Sequence, residues 1–177
     1  MPEQELILVN EQDQSIGTMD KMEVHRRGLL HRAFSIFIFN GSGEMLLQQR
    51  AEDKYHSPGL WTNACCSHPL PHEKVKEAAT RRLKEELGFK TELDELFSFT
   101  YRSQFDNGLI EHEFDHVLAG IYDGEIRPDS AEVKDYVYHP MVHIANALVR
   151  EPQQFTPWFT IAFPRIREWA GTFFKTS

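Results

Sequence analysis

The chemistry in this sequence starts with two glutamates. Glu111 and Glu113 stand two apart in an alternating segment, so on a strand both carboxylates leave one face while His112 points the other way. Like charges so placed repel, and a cation between them removes the difficulty. Each of the nine histidines taken alone fits a surface or core-satisfied place better than a ligand role, but His25, His31 and His68 with Glu111 and Glu113 would make a mixed nitrogen and oxygen set. Five such donors leave one octahedral position open and suit Mn²⁺, Mg²⁺ or Zn²⁺, the imidazoles tilting the set away from Ca²⁺. The two cysteines, Cys65 and Cys66, are adjacent, and neighbours are awkwardly placed to close a disulfide. They call for no oxidising compartment, and their adjacency lacks the two-to-four-residue gap of a structural zinc pair.

A second group of charges lies on a helix. From Glu73 to Leu87 the residues Val75, Ala78, Ala79, Leu83 and Leu87 recur at three- and four-residue spacing, and Gly88 follows as a stop. At about 100° per residue, Arg82 and Glu86 fall inside the apolar arc. An inward carboxylate must be paired, protonated or metal-bound, because an isolated buried ion is very costly. An i,i+4 ion pair satisfies both charges, but surface decoration does not account for their direction.

The elements that must position these groups follow from periodicity. Leu6 to Val9 and Ser15 to Thr18 form an opening hairpin; Phe34 to Phe39 and Met45 to Gln49 form another around Asn40 to Gly43. Strands around Leu96 to Gln104 and Leu109 to Tyr122 meet at Asp106, Asn107 and Gly108, and Val133 to His139 adds one more. A short helix, about Met141 to Leu148, precedes a C-terminal one with Thr156 as N-cap and Pro157 at its first position, which Pro164 should bend or interrupt. Strands mixed with helices in this order predict an α/β (α+β) fold: a mixed sheet flanked by helices on both faces. The chain is read as one domain, 1–177. Its net charge of −8, without a dense Lys/Arg stripe, argues against nucleic acid. Apolar runs are too short to cross a membrane, and Met1 to Glu5 opens no export signal, so the expectation is cytoplasmic. Oligomeric state is left open.

Glu73, Arg81 and the run Arg82, Leu83, Lys84, Glu85, Glu86, Leu87, Gly88 and Phe89 resemble the Nudix box, the loop-helix-loop signature of enzymes that handle diphosphates through divalent metals. Two positions depart from its hydrolases: Ser67 replaces the usual Gly, and Arg82 a Glu. Arg82 brings a cation suited to a diphosphate oxygen where a metal-binding carboxylate is lost. With Trp61 to Pro69, which carries Cys66 and His68, and with the Glu111 and Glu113 pair, the chain from about Leu6 to Trp158 resembles the type I isopentenyl-diphosphate Δ-isomerases. The resemblance implies interconversion of isopentenyl and dimethylallyl diphosphate through a carbocation, in a Nudix-type fold. It implies catalysis by Cys66 and Glu113 with Tyr101, and Trp158 stabilising the cation, Trp61 helping to line the cavity. Lys21, Arg50, Lys54 and Arg82 would bind the diphosphate. The His25, His31, His68, Glu111 and Glu113 set would hold Mn²⁺, Mg²⁺ or Zn²⁺, and Glu86 a diphosphate-bound Mg²⁺, with no flavin. The alternative is a Nudix-type hydrolase of a diphosphate substrate.

Overall fold

The computed structural model describes residues 4–176; Met1 to Glu3, where the segment read for an export signal begins, lie outside the described residues. The continuous apolar run Leu6 to Val9 builds β1 (Glu5–Val9), which pairs along its length with β2 (Ser15–Asp20) as expected. Asp20 then caps α1 (Lys21–Arg27) by accepting from the Glu23 amide, and Gly28, at φ 64°, ends it. That single two-turn helix was not legible from periodicity, although its caps stand in the sequence.

β3 (His31–Phe39) is the central strand. One edge runs parallel to β8 (Ile110–Ile121), from His31 opposite Glu113 to Phe39 opposite Ile121. Its other edge is divided. Leu8 of β1 meets His31, β6 (Cys65–Ser67) covers Phe34 to Ile36, and β4 (Met45–Arg50) touches only at Phe39 opposite Met45. The expected second hairpin therefore closes at its turn and then splays, because β6 takes the edge that β4 would have used. β4 pairs instead with β5 (Trp61–Thr62) and with β9 (Val133–His139), while β7 (Asp94–Gln104) pairs antiparallel with β8.

Alternation along β3 divides the interior. Phe34, Ile36 and Ile38 pack with Ala78, Ala79, Leu83 and Leu87 of α2 (Val75–Leu87), while Phe37 and Phe39 join the apolar face of α4 (Pro157–Thr176) and Ile144 of α3 (Met141–Arg150). Helices thus cover both faces of one mixed sheet, as the strand and helix order predicts. α4 is not interrupted at Pro164: the helix runs through it. Pro164 and Thr160, whose carbonyl loses its helical donor, both lie on the exposed side, where that carbonyl is open to solvent, and Phe159, Ala162, Phe163 and Ile166 hold the other side in the core. Gly88 ends α2 at φ 80°, and a Cβ there would lie 2.7 Å from the Arg127 carbonyl oxygen, so the stop is both conformational and steric.

Candidate active site

The β3–β8 register brings the histidines to the glutamates. His31 sits beside Glu113, and Glu111, Glu113 and Asp115 leave β8 on the side facing α4 while His112 turns away to the Gly28 carbonyl. On the other flank of β3, β6 sets Cys66 opposite Ser35, so Cys66 and, two residues on, His68 point into the same space. Cys65 faces the α2 core instead and is fully buried there. The two adjacent thiols are therefore separated by the sheet itself.

Ligand atoms of His25, His31, His68 and Glu111 lie within 4.8 Å of one another. Glu113 borders this group rather than joining it fully: its Oε1 is 3.1 Å from His68 Nε2 and 3.5 Å from His31 Nε2, while Oε2 accepts from the Tyr101 hydroxyl at 2.8 Å. His25 Nδ1 donates to the Lys21 carbonyl at 2.6 Å and His31 Nδ1 to that of Leu29 at 2.9 Å. With Nδ1 protonated, Nε2 of each neutral ring presents a lone pair, aimed at carboxylate oxygens that only accept. A proton or a metal ion must stand between them. His31 Nε2 and Glu111 Oε2 are buried with no hydrogen-bond partner, so each has a lone pair left to offer a cation. The donor set therefore fits a divalent ion. Burial drives the His68 imidazole down to about 4, against the pull of Glu113. For His31 the outcome is the opposite: burial, again the largest single cause, lowers it, but Glu113, Glu111 and the Leu29 carbonyl together raise it.

Above the cluster opens a cavity of about 560 Å³ lined by Lys21, Arg50, Lys54, Arg82, Cys66, Tyr101, Glu113 and Trp158, among others. All four expected cations reach it. Arg82 and Glu86 point into it as the helical wheel requires, bonded at 2.6 Å; Arg82 also meets Glu85 at 2.6 Å and Glu132 at 3.5 Å, and its buried Nε has no partner. Glu86 is raised by burial, which outweighs Arg82, and also accepts from Gln48 at 3.1 Å. Unlike the histidine cluster, it has no orphaned oxygen among the buried side-chain atoms. Cys66 Sγ donates to Asn63 Oδ1 at 3.1 Å and accepts from the Trp158 indole at 3.0 Å. Burial pushes this thiol up to about 12, so it is neutral.

One expectation fails. Trp61 lines a separate groove with Leu47, Val137 and Phe155, not this cavity. The β4–β5 pairing sets Gln49 opposite Trp61 and Gln48 opposite Thr62, and alternation gives the cavity to Thr62. Sequence reasoning also missed residues. Asp115, 1% exposed, accepts from Ser35 Oγ at 2.7 Å, and the Glu111, Glu113, Asp115 alternation was its signal. Glu132 pairs with Lys54 and Arg82. His56, whose Nε2 is 2.8 Å from Glu111 Oε1, stands in an aperiodic loop and left no signal.

The fold and site define a Nudix-class protein, and the NUDIX domain model matches residues 29–159. The fold is shared with solved structures: a Deinococcus radiodurans protein, DR0079, is 20% identical with a TM-score of 0.75, covering 92% of this chain and 98% of that one. A MutT NUDIX hydrolase from Burkholderia pseudomallei is 23% identical with a TM-score of 0.60, covering 76% and 96%. Within that class the chain belongs to the isopentenyl-diphosphate Delta-isomerase family. It is 49% identical over 175 residues to the isopentenyl-diphosphate Delta-isomerase of Pectobacterium atrosepticum, covering 98% of this chain and 97% of that one. The corresponding Burkholderia multivorans protein is 47% identical over 173 residues, covering 95% and 98%.

Proposed function

We propose that this chain interconverts isopentenyl diphosphate and dimethylallyl diphosphate by adding a proton to the alkene and removing one from the neighbouring carbon. The observation that carries the reading is a thiol and a carboxylate, Cys66 and Glu113, facing one cavity from strands on opposite flanks of β3. A proton added at the terminal methylene forms a C–H bond from the double-bond electrons and leaves a tertiary cation. Loss of a proton from the adjacent methylene on the diphosphate side forms the new double bond, so no proton is gained or lost overall. Cys66 and Glu113 exchange these two protons, with Tyr101 bonded to Glu113. The neutral thiol holds the proton that is given and the Glu113 carboxylate takes the one that is lost; the pair returns to its starting state when that proton passes back to the sulfur. Trp158, whose indole holds Cys66, stabilises the cation through its ring by up to about 2 kcal/mol.

Lys21, Arg50, Lys54 and Arg82 bind the diphosphate, the orphaned Arg82 Nε being a donor free for one of its oxygens. His25, His31, His68, Glu111 and Glu113 would hold Mn²⁺, Mg²⁺ or Zn²⁺, and Glu86 a Mg²⁺ on the diphosphate; when bound, these ions supply positive charge that anchors the carboxylates and neutralises the phosphates. Both cysteines are free, which fits a reducing, cytoplasmic setting, and no described helix is long and apolar enough to cross a membrane.

Turnover of isopentenyl diphosphate in D₂O with Mg²⁺ and Mn²⁺ tests the reading. Deuterium should enter dimethylallyl diphosphate and recovered substrate while the diphosphate stays attached. Phosphate or diphosphate release with no deuterium at carbon would establish the hydrolase alternative instead.

A further inference from the structure

The loop from Ala51 to Leu60 carries Lys54 over the cavity, and three of the ties that hold it bear on its middle, Tyr55 to Ser57. Arg50 donates from Nη2 to the His56 carbonyl at 3.1 Å and from Nε to that of Ser57 at 3.2 Å. Asn107, in the turn between β7 and β8, donates to the Tyr55 carbonyl at 2.8 Å. The third tie is His56 itself, 7% exposed, with Nε2 2.8 Å from Glu111 Oε1. Its ring stacks on Phe105 at 4.9 Å and 10°, and meets Tyr55 and Trp158 edge to face at 4.5 and 5.7 Å.

Its chemistry differs from that of the other three histidines. His25 and His31 give Nδ1 to backbone carbonyls and aim Nε2 lone pairs at the cluster. His56 Nδ1 meets Ser57 Oγ at 3.5 Å and no backbone carbonyl among the described residues, and Nε2 faces a carboxylate that only accepts. Its Nε2 therefore carries the proton and donates. Glu111 Oε1, which also lies 2.9 Å from His25 Nε2, receives this bond at 2.8 Å, while Oε2 is left unpartnered in the interior. A carboxylate with one oxygen fixed from outside the cluster has its remaining oxygen aimed by that bond.

We propose that His56 is a positioning residue which orients the Glu111 carboxylate for the metal and couples that site to the diphosphate-binding loop. The proposal rests on the metal-site reading above. Because one backbone segment bears both His56 and Lys54, and Arg50 holds that segment, losing the Glu111 bond disturbs metal and diphosphate binding together. A role in packing alone would leave both intact once the ring is replaced by another flat one.

Mn²⁺ affinity by titration calorimetry, with kcat and KM for isopentenyl diphosphate, should be measured for wild type, His25→Ala, His56→Phe and His56→Gln, each checked for native circular dichroism. His56→Phe keeps the stack on Phe105 but has no donor; it should weaken Mn²⁺ binding about 10- to 100-fold and raise KM. His56→Gln restores a donor and should recover most of both. Wild-type Mn²⁺ affinity in His56→Phe, or equal loss in both His56 variants, overturns the positioning role while the metal site stands. Failure of wild type to bind Mn²⁺, or undiminished binding by His25→Ala, overturns the metal-site reading itself, and this inference with it.

Discussion

At the scale of single residues, the sheet gives two neighbouring cysteines different work. Cys65 packs under α2 among Ala78, Leu83 and Leu87, whereas Cys66 meets Asn63, Ser35 and Trp158 at the cavity. Cys66→Ala should abolish isomerisation with circular dichroism unchanged. Cys65→Ala should cost about 1 kcal/mol in denaturant unfolding and leave turnover near wild type. The reverse ranking would mean that the register of β6 against β3 is misread. The choice of Cys66 was already open to the sequence, because His68 is two residues away and a strand returns to the same face every second residue. His56 was not open to it: nothing in Lys54 to Gly59 repeats, and only the folded loop brings its ring to Glu111.

At the scale of elements, the loop before α2 is clamped to the helix. Glu73 accepts from Arg81 Nε at 2.8 Å and Nη2 at 2.9 Å, and also from the Leu70 amide at 2.9 Å. Arg81 holds the Glu73 carboxyl below its usual 4.5, against the opposing effect of burial. A depressed carboxylate stabilises the fold above its unfolded pKa, and that contribution disappears as pH falls through the folded one. Glu73→Gln should therefore lower the melting temperature at pH 7, by no more than a surface pair of under about 1 kcal/mol allows. At pH 3 the difference from wild type should shrink. A gap that widens on acidification would contradict the pairing. The clamp's partners, eight apart, are visible in the sequence only as part of a recognisable box, since no local period joins a loop carboxylate to the second turn of a helix.

Across the whole molecule, the histidine and glutamate cluster draws on α1, β3, the segment after β6, and β8, elements from three separated stretches of chain. An ion bound there and not in the unfolded chain adds about 2.7 kcal/mol at a hundredfold excess over its Kd, or roughly 5–10 °C in a domain of this size. Adding Mn²⁺ after chelation should raise the calorimetric melting temperature of wild type by that order and should not move His25→Ala. A wild-type melting temperature indifferent to both chelator and Mn²⁺ would remove the ion from this cluster.

What the sequence determined by itself was local. Period two marked the common face of Glu111 and Glu113, period 3.6 turned Arg82 and Glu86 inward, and Asn and Gly placed the turns; each depends on residues a few positions apart. The tertiary structure decided what a short period cannot carry. The splaying of β3 from β4, the exclusion of Trp61 from the cavity and the capture of Glu111 by His56 follow from which strand edges pair and in what register. Pairing partners are chosen by the burial of whole faces across residues far apart in sequence, so only the assembled sheet reveals them.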